Sequence, residues 1–147
     1  MYIHYGHKKF DRSKFEPIKN DRISFLINKP HGGLWASPLH GFTWKRWCEA
    51  EQYKECSDDC CFRFKLLASA RIARIESRLD YEKLPKRPFN NPLFFEPTFL
   101  SLDFEEISKH FDAIFYRRCE ELHLLGPMNS WDCDSLLVLN PDVVVEE

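Results

Sequence analysis

The residues with the most to offer chemically are aromatic. Trp35, Trp44 and Trp47 are three of the chain's four tryptophans, and they lie between positions 35 and 47, just after the turn Pro30-His31-Gly32-Gly33. Adjacent glycines accept positive φ without a Cβ clash and let a ligand come close to the backbone. Thr43 is placed to cap a helix on which Trp44, Trp47, Cys48 and Glu51 recur at i, i+3, i+4 and i+7. An indole face attracts flat and cationic rings, so the stretch 29–53 has the makings of a flat-ligand site. It also suits plain packing, which is the commoner use of tryptophan.

Two further groups carry chemical potential. Asp132 and Asp134 flank Cys133, and on an extended strand residues two apart project to the same side. The cysteines Cys48, Cys56, Cys60 and Cys61 follow a C-x7-C-x3-C-C pattern. Structural zinc sites use paired C-x2-C knuckles, so free thiols and no bound metal are expected.

The bulk properties narrow the class. A chain of 147 residues with 44% hydrophobic and 15% aromatic content is read as one folded domain over 1–147. Its formal net charge of -2 lacks the basic excess of a nucleic-acid binder. There is no run of 18 apolar residues to span a membrane. The start, Met-Tyr-Ile-His-Tyr-Gly-His-Lys-Lys, does not read as a secretion signal, and a cytoplasmic location is expected.

Positioning these residues requires a mixed set of short elements. Strands are expected at Tyr2–Tyr5, Arg22–Asn28, Leu34 onward, Phe62–Leu66, Ala70–Ile75, Asp112–Tyr116, Asp134–Leu139 and Val143–Val145. Helices are expected from Thr43 and over Leu102–Phe111, where Phe104, Ile107 and Phe111 share a face. Lys8–Asn20 reads as a loop anchored by Phe10, Phe15 and Ile18, and Glu120–Asn129 as another loop. Ser77–Pro97 holds four of the nine prolines and is expected to lack regular structure through most of its length. The order of elements gives an α+β domain, and the sequence has neither G-x-x-x-x-G-K-[ST] nor G-x-G-x-x-G.

Three separated pieces resemble motifs of the ADP-ribosyltransferase fold, in its diphtheria-toxin and poly(ADP-ribose) polymerase branch. Ile3-His4-Tyr5-Gly6 resembles the histidine strand, and Gly33-Leu34-Trp35-Ala36-Ser37 the aromatic strand before a helix. Cys133-Asp134-Ser135-Leu136-Leu137-Val138 resembles the late strand opened by a carboxylate, and Asn140-Pro141-Asp142-Val143 resembles its close. The pieces occur in the family's order along the whole chain. Here Tyr5 intervenes between the histidine and Gly6, Trp35 stands where Tyr is usual, and Asp134 where Glu is commoner.

This resemblance implies a split mixed or antiparallel β-sheet core with a few short helices, and NAD as the substrate. NAD would be cleaved at the nicotinamide–ribose bond and ADP-ribose passed to an acceptor, a protein more readily than a nucleic acid. Asp134 would face the oxocarbenium-like charge, and Asp132 would handle the acceptor. His4 would hold a ribose hydroxyl, and the backbone beside it, at Tyr5 and Gly6, the carboxamide. Gly33, Trp35 and Ser37, with Thr43 and Trp47 from the helix, would complete the nicotinamide site. Three alternatives stand beside this reading. They are an inactive module of the same fold acting through a protein partner, an RNA 2'-phosphotransferase-like relative, and an unrelated small α+β binding protein.

Overall fold

The structure, a computed structural model, describes residues 1–20, 27–88 and 99–147. Its strands are β1 (Tyr2–Tyr5), β2 (Leu34–Pro38), β3 (Cys61–Leu66), β4 (Ile72–Ile75), β5 (Ala113–Tyr116), β6 (Ser135–Val138) and β7 (Val144–Glu146). Its helices are short: α1 (Trp44–Ala50), α2 (Arg78–Glu82), α3 (Phe104–Ser108) and α4 (Glu120–His123), with 3-10 turns at Arg12–Lys14 and Pro141–Val143. Among the described residues the seven strands form one mixed sheet, in the order β4-β5-β6-β2-β1-β3-β7. Only β4 and β5 run parallel there.

The period-2 pattern of the strands explains why both sheet faces are covered. Leu34, Ala36, Ala113, Phe115, Leu136 and Val138 join Phe62 and Phe64 in one buried cluster. The alternate residues Ile114, Tyr116 and Leu137 join Phe104, Ile107, Leu122 and Trp131 in the other. Each large side chain buried in this way contributes about 1.5–3 kcal/mol.

Most of the expected elements form, with shifts at their ends. Thr43 caps α1 by accepting from the Arg46 amide at 3.4 Å, and Asp103 caps α3 by accepting from the Glu106 amide at 3.0 Å. The helix expected over 102–111 is only Phe104–Ser108. Of the strand expected over Ala70–Ile75, Ile72–Ile75 forms as β4, although the Ala and Arg content of the stretch suits a helix equally well. Two stretches read as irregular carry helices: α2 starts on a Ser77 cap within 77–97, and α4 lies within 120–129. The strand expected at 22–28 falls mainly outside the described residues, as do Pro92 and Pro97.

One junction of the sheet is incomplete. β1 pairs with β3 along all of Tyr2–Tyr5, but with β2 only at Tyr2↔Pro38 and Ile3↔Ser37. Continuing that register would set His4 opposite Ala36 and Tyr5 opposite Trp35, and neither pair forms. The two strands part there, in the middle of the sheet.

Candidate functional site

The parted strands open into a crevice of about 310 Å³, lined by residues that include His4, Tyr5, Trp35, Ser37, Trp44 and Asp132. His4 bridges the opening. Its Nδ1–H donates to the Trp35 carbonyl at 2.7 Å, so a side chain replaces the ladder bond that the backbones no longer make. A carbonyl can only accept, which fixes the proton on Nδ1. Burial pushes the His4 pKa below its ordinary 6.5, with the Trp35 carbonyl opposing and His7 and Lys54 adding to the depression. The neutral ring therefore offers Nε2 as an acceptor, and His7 Nδ1 lies 3.0 Å from it.

The aromatic walls come from two directions. Trp35 is half-buried on β2 and meets Trp131 edge-on, with ring centroids 4.7 Å apart. Trp131 is a core residue, 1% exposed, held by its indole N–H donating to the Asn28 carbonyl at 2.8 Å. From α1 the lining takes Trp44, backed by a stacked Trp47 at 5.0 Å. Trp47 thus supports the wall without lining it.

The two aspartates separate. An extended chain would project both carboxylates to one side, but residues 133–134 form a bend before β6 begins. Asp132 stays in the crevice, half-exposed, with Lys29 Nζ at 3.8 Å from its Oδ2. Asp134 turns away and is not among the lining residues. Its Oδ2 accepts from the Phe42 amide at 3.1 Å, and its Oδ1 from the Arg118 amide at 2.8 Å. Its own amide donates to the Phe42 carbonyl at 2.9 Å. Asp134, expected to face the reacting centre, thus has both side-chain oxygens engaged as a clasp between two loops.

The remaining expected residues have local uses. Ser37 lines the crevice, but its Oγ accepts from the Trp44 amide at 2.8 Å and so anchors α1. Gly6 and Gly33 lie outside the lining. Gly33, at φ +75°, lets β2 lie tight on β6, since a Cβ there would stand 2.7 Å from Leu137 Cδ1 and 2.9 Å from the Val138 carbonyl. Gly6 ends β1 at φ +119°, its amide bonding the Cys60 carbonyl at 2.8 Å. Thr43 acts as the helix cap.

Two lysines complete the crevice, and no sequence pattern marked them beyond their position at the ends of the tryptophan-rich stretch. Lys29 Nζ lies 5.8 Å from the centre of the Trp35 ring, and Lys54 Nζ 5.5 Å from that of Trp44. Cys133 also lines the crevice. Burial raises its thiol pKa, so it is a protonated neighbour and not a ready nucleophile.

All six cysteines are free thiols, and among the described residues no group of three or more His, Cys, Asp or Glu is arranged to hold a metal ion. Among the same residues no helix is long and apolar enough to cross a membrane. No protein-family model matches the chain, and neither a search of curated proteins nor one of solved structures returns a match.

Proposed function

We propose that this chain is an NAD-dependent mono-ADP-ribosyltransferase acting in the cytoplasm, with Asp132 as the carboxylate at the reacting centre. The observation that carries the reading is the parted β1–β2 ladder, with His4 and Trp35 joined across it and Asp132 in the same crevice. Nicotinamide lies on the Trp35 face, where an indole suits a flat cation. The neutral Nε2 of His4 accepts from a ribose hydroxyl once His7 moves aside. The C1'–N bond breaks with its electron pair leaving on nicotinamide. Asp132 stabilises the positive charge that develops at C1', and an acceptor oxygen or nitrogen then bonds C1' and releases its proton. The acceptor belongs to a protein more readily than to a nucleic acid.

Released nicotinamide, followed by chromatography, tests this reading. Asp132→Asn should cut the rate on the order of 100–1000-fold, the usual loss for one preorganised charge. Asp134→Asn, assayed where it is still folded, should keep most of the rate. A full rate in Asp132→Asn with loss in folded Asp134→Asn would return the role to Asp134. One observation favours a second reading, a non-enzymatic module of the same fold: Lys29 already sits on Trp35 and Asp132. Wild-type protein that releases no nicotinamide would support that module.

A further inference from the structure

The crevice is lined by two ammonium groups, Lys29 and Lys54, and one carboxylate, Asp132. With His4 neutral, two positive charges against one negative leave an excess of one positive charge. The two cations are not equivalent. Lys29 lies between an indole face and a carboxylate, 5.8 Å from the Trp35 ring centre and 3.8 Å from Asp132 Oδ2. These are the two kinds of partner that recognise an organic cation. Lys54 rests on Trp44 and, among the described residues, has no carboxylate within ion-pair distance. It is close enough to His4 for its charge to act on that ring.

We infer that the crevice is bipolar. The Trp35–Asp132 pair is a seat for a flat organic cation that Lys29 fills in its place, and Lys54 is the anchor for a phosphate carried by the same ligand. The inference rests on the proposed NAD reading and deepens it, because it fixes the direction in which a cationic nucleotide lies. The cationic ring displaces Lys29 from Trp35, and the phosphate runs toward Trp44 and Lys54. The displacement is cheap. Lys29 and Asp132 are 34% and 31% exposed, and ion pairs so open to water are weak. A ligand lacking the ring charge gains nothing from Asp132, and one lacking phosphate leaves Lys54 unused.

Nicotinamide riboside and nicotinamide mononucleotide separate the two poles, since they share a cationic ring and differ by one phosphate. Each is titrated calorimetrically into wild type, Lys29→Met and Lys54→Met, methionine keeping an apolar stem on the indole. Lys54→Met should weaken the mononucleotide about three- to tenfold, the range of losing one charge-assisted contact, and leave the riboside within error. Lys29→Met should tighten the riboside about two- to fivefold, the scale of releasing an exposed ion pair. Equal weakening of both ligands by Lys54→Met, or no change in either, would reduce Lys54 to a packing residue. Weaker riboside binding in Lys29→Met would make Lys29 a support for Trp35 and end the seat argument. Wild type that binds neither ligand overturns the NAD reading itself. Wild type that binds both, with lysine variants that do not respond as stated, overturns the bipolar crevice alone.

Discussion

The imidazole of His4 and the backbone carbonyl of Trp35, 31 residues apart in sequence, are joined by a 2.7 Å hydrogen bond across the opening between β1 and β2. The bond ties the histidine to the place where the sheet fails to close. It sets one tautomer and leaves the other ring nitrogen facing a partner or ligand.

A pH dependence follows from this. The folded pKa of His4 lies below its ordinary 6.5, chiefly through burial. Between the two values the unfolded chain binds more protons than the folded one, so stability falls as pH drops through that window. Urea midpoints at pH 7 and pH 5 should fall further on acidification in wild type than in His4→Gln. Equal acid sensitivity in both proteins would show that His4 has no such coupling.

The Asp134 clasp yields a stability prediction. Both oxygens accept from N–H groups, so an asparagine there must point its own NH2 at one of them. Asp134→Asn should cost about 1–3 kcal/mol, the penalty of a broken buried acceptor site. Gly41→Ala should cost a similar amount, since Gly41 has φ +100° and a Cβ there would lie 2.5 Å from Asp134 Oδ2. Both substitutions strike one contact, so the double variant should lose less than the sum of the singles. Additive losses in urea denaturation would show two independent defects.

Trp35 has two uses that substitution can separate. Trp35→Ala should weaken nicotinamide binding by about 1–3 kcal/mol, the value of a stacked aromatic and its area. Trp35→Phe should recover part of that by keeping a ring against Trp131. Calorimetry on folded protein decides, and unchanged affinity in Trp35→Ala would leave the indole as a core partner only.

Thiol reactivity should follow burial. Cys48 is 1% exposed, and burial, helped by the neighbouring Cys56 thiol, pushes its pKa up to about 12. Cys56 and Cys133 are buried as well, whereas Cys60 and Cys61 are partly open. Timed alkylation of native protein with peptide mapping should therefore label Cys60 and Cys61 before Cys48, Cys56 and Cys133. Early labelling of Cys48 would mean that α1 opens readily.

The strands around the site were legible because period-2 alternation and flanking turn residues are local signals. Tyr2–Tyr5 coincides with β1, and Ser135–Val138 lies inside the expected 134–139. Short helices such as Arg78–Glu82 were not legible, being about one turn long and too brief to show a 3.6 period. The site was half legible. Trp35 and Trp44 stood out by type and spacing and His4 only through the family resemblance, and all three line the crevice. The parting of the aspartates was hidden, because two residues apart means the same side only while the chain stays extended. A bend at 133–134 reverses the inference. Lys29 and Lys54 were hidden for another reason: a solvated lysine and one lying on an indole look alike in sequence.

The attachment of α1 has a kinetic consequence. The helix carrying Trp44 is fastened to the sheet by polar tethers: Ser37 Oγ holds the Trp44 amide, and Asp134 holds the Phe42 amide just before it. The spacing between the two indole walls is therefore set before any ligand arrives, and no helix must be frozen in place on binding. Association should then need little rearrangement beyond rotation of Lys29 and His7, and differences in affinity among flat cations should appear mainly in how fast they leave.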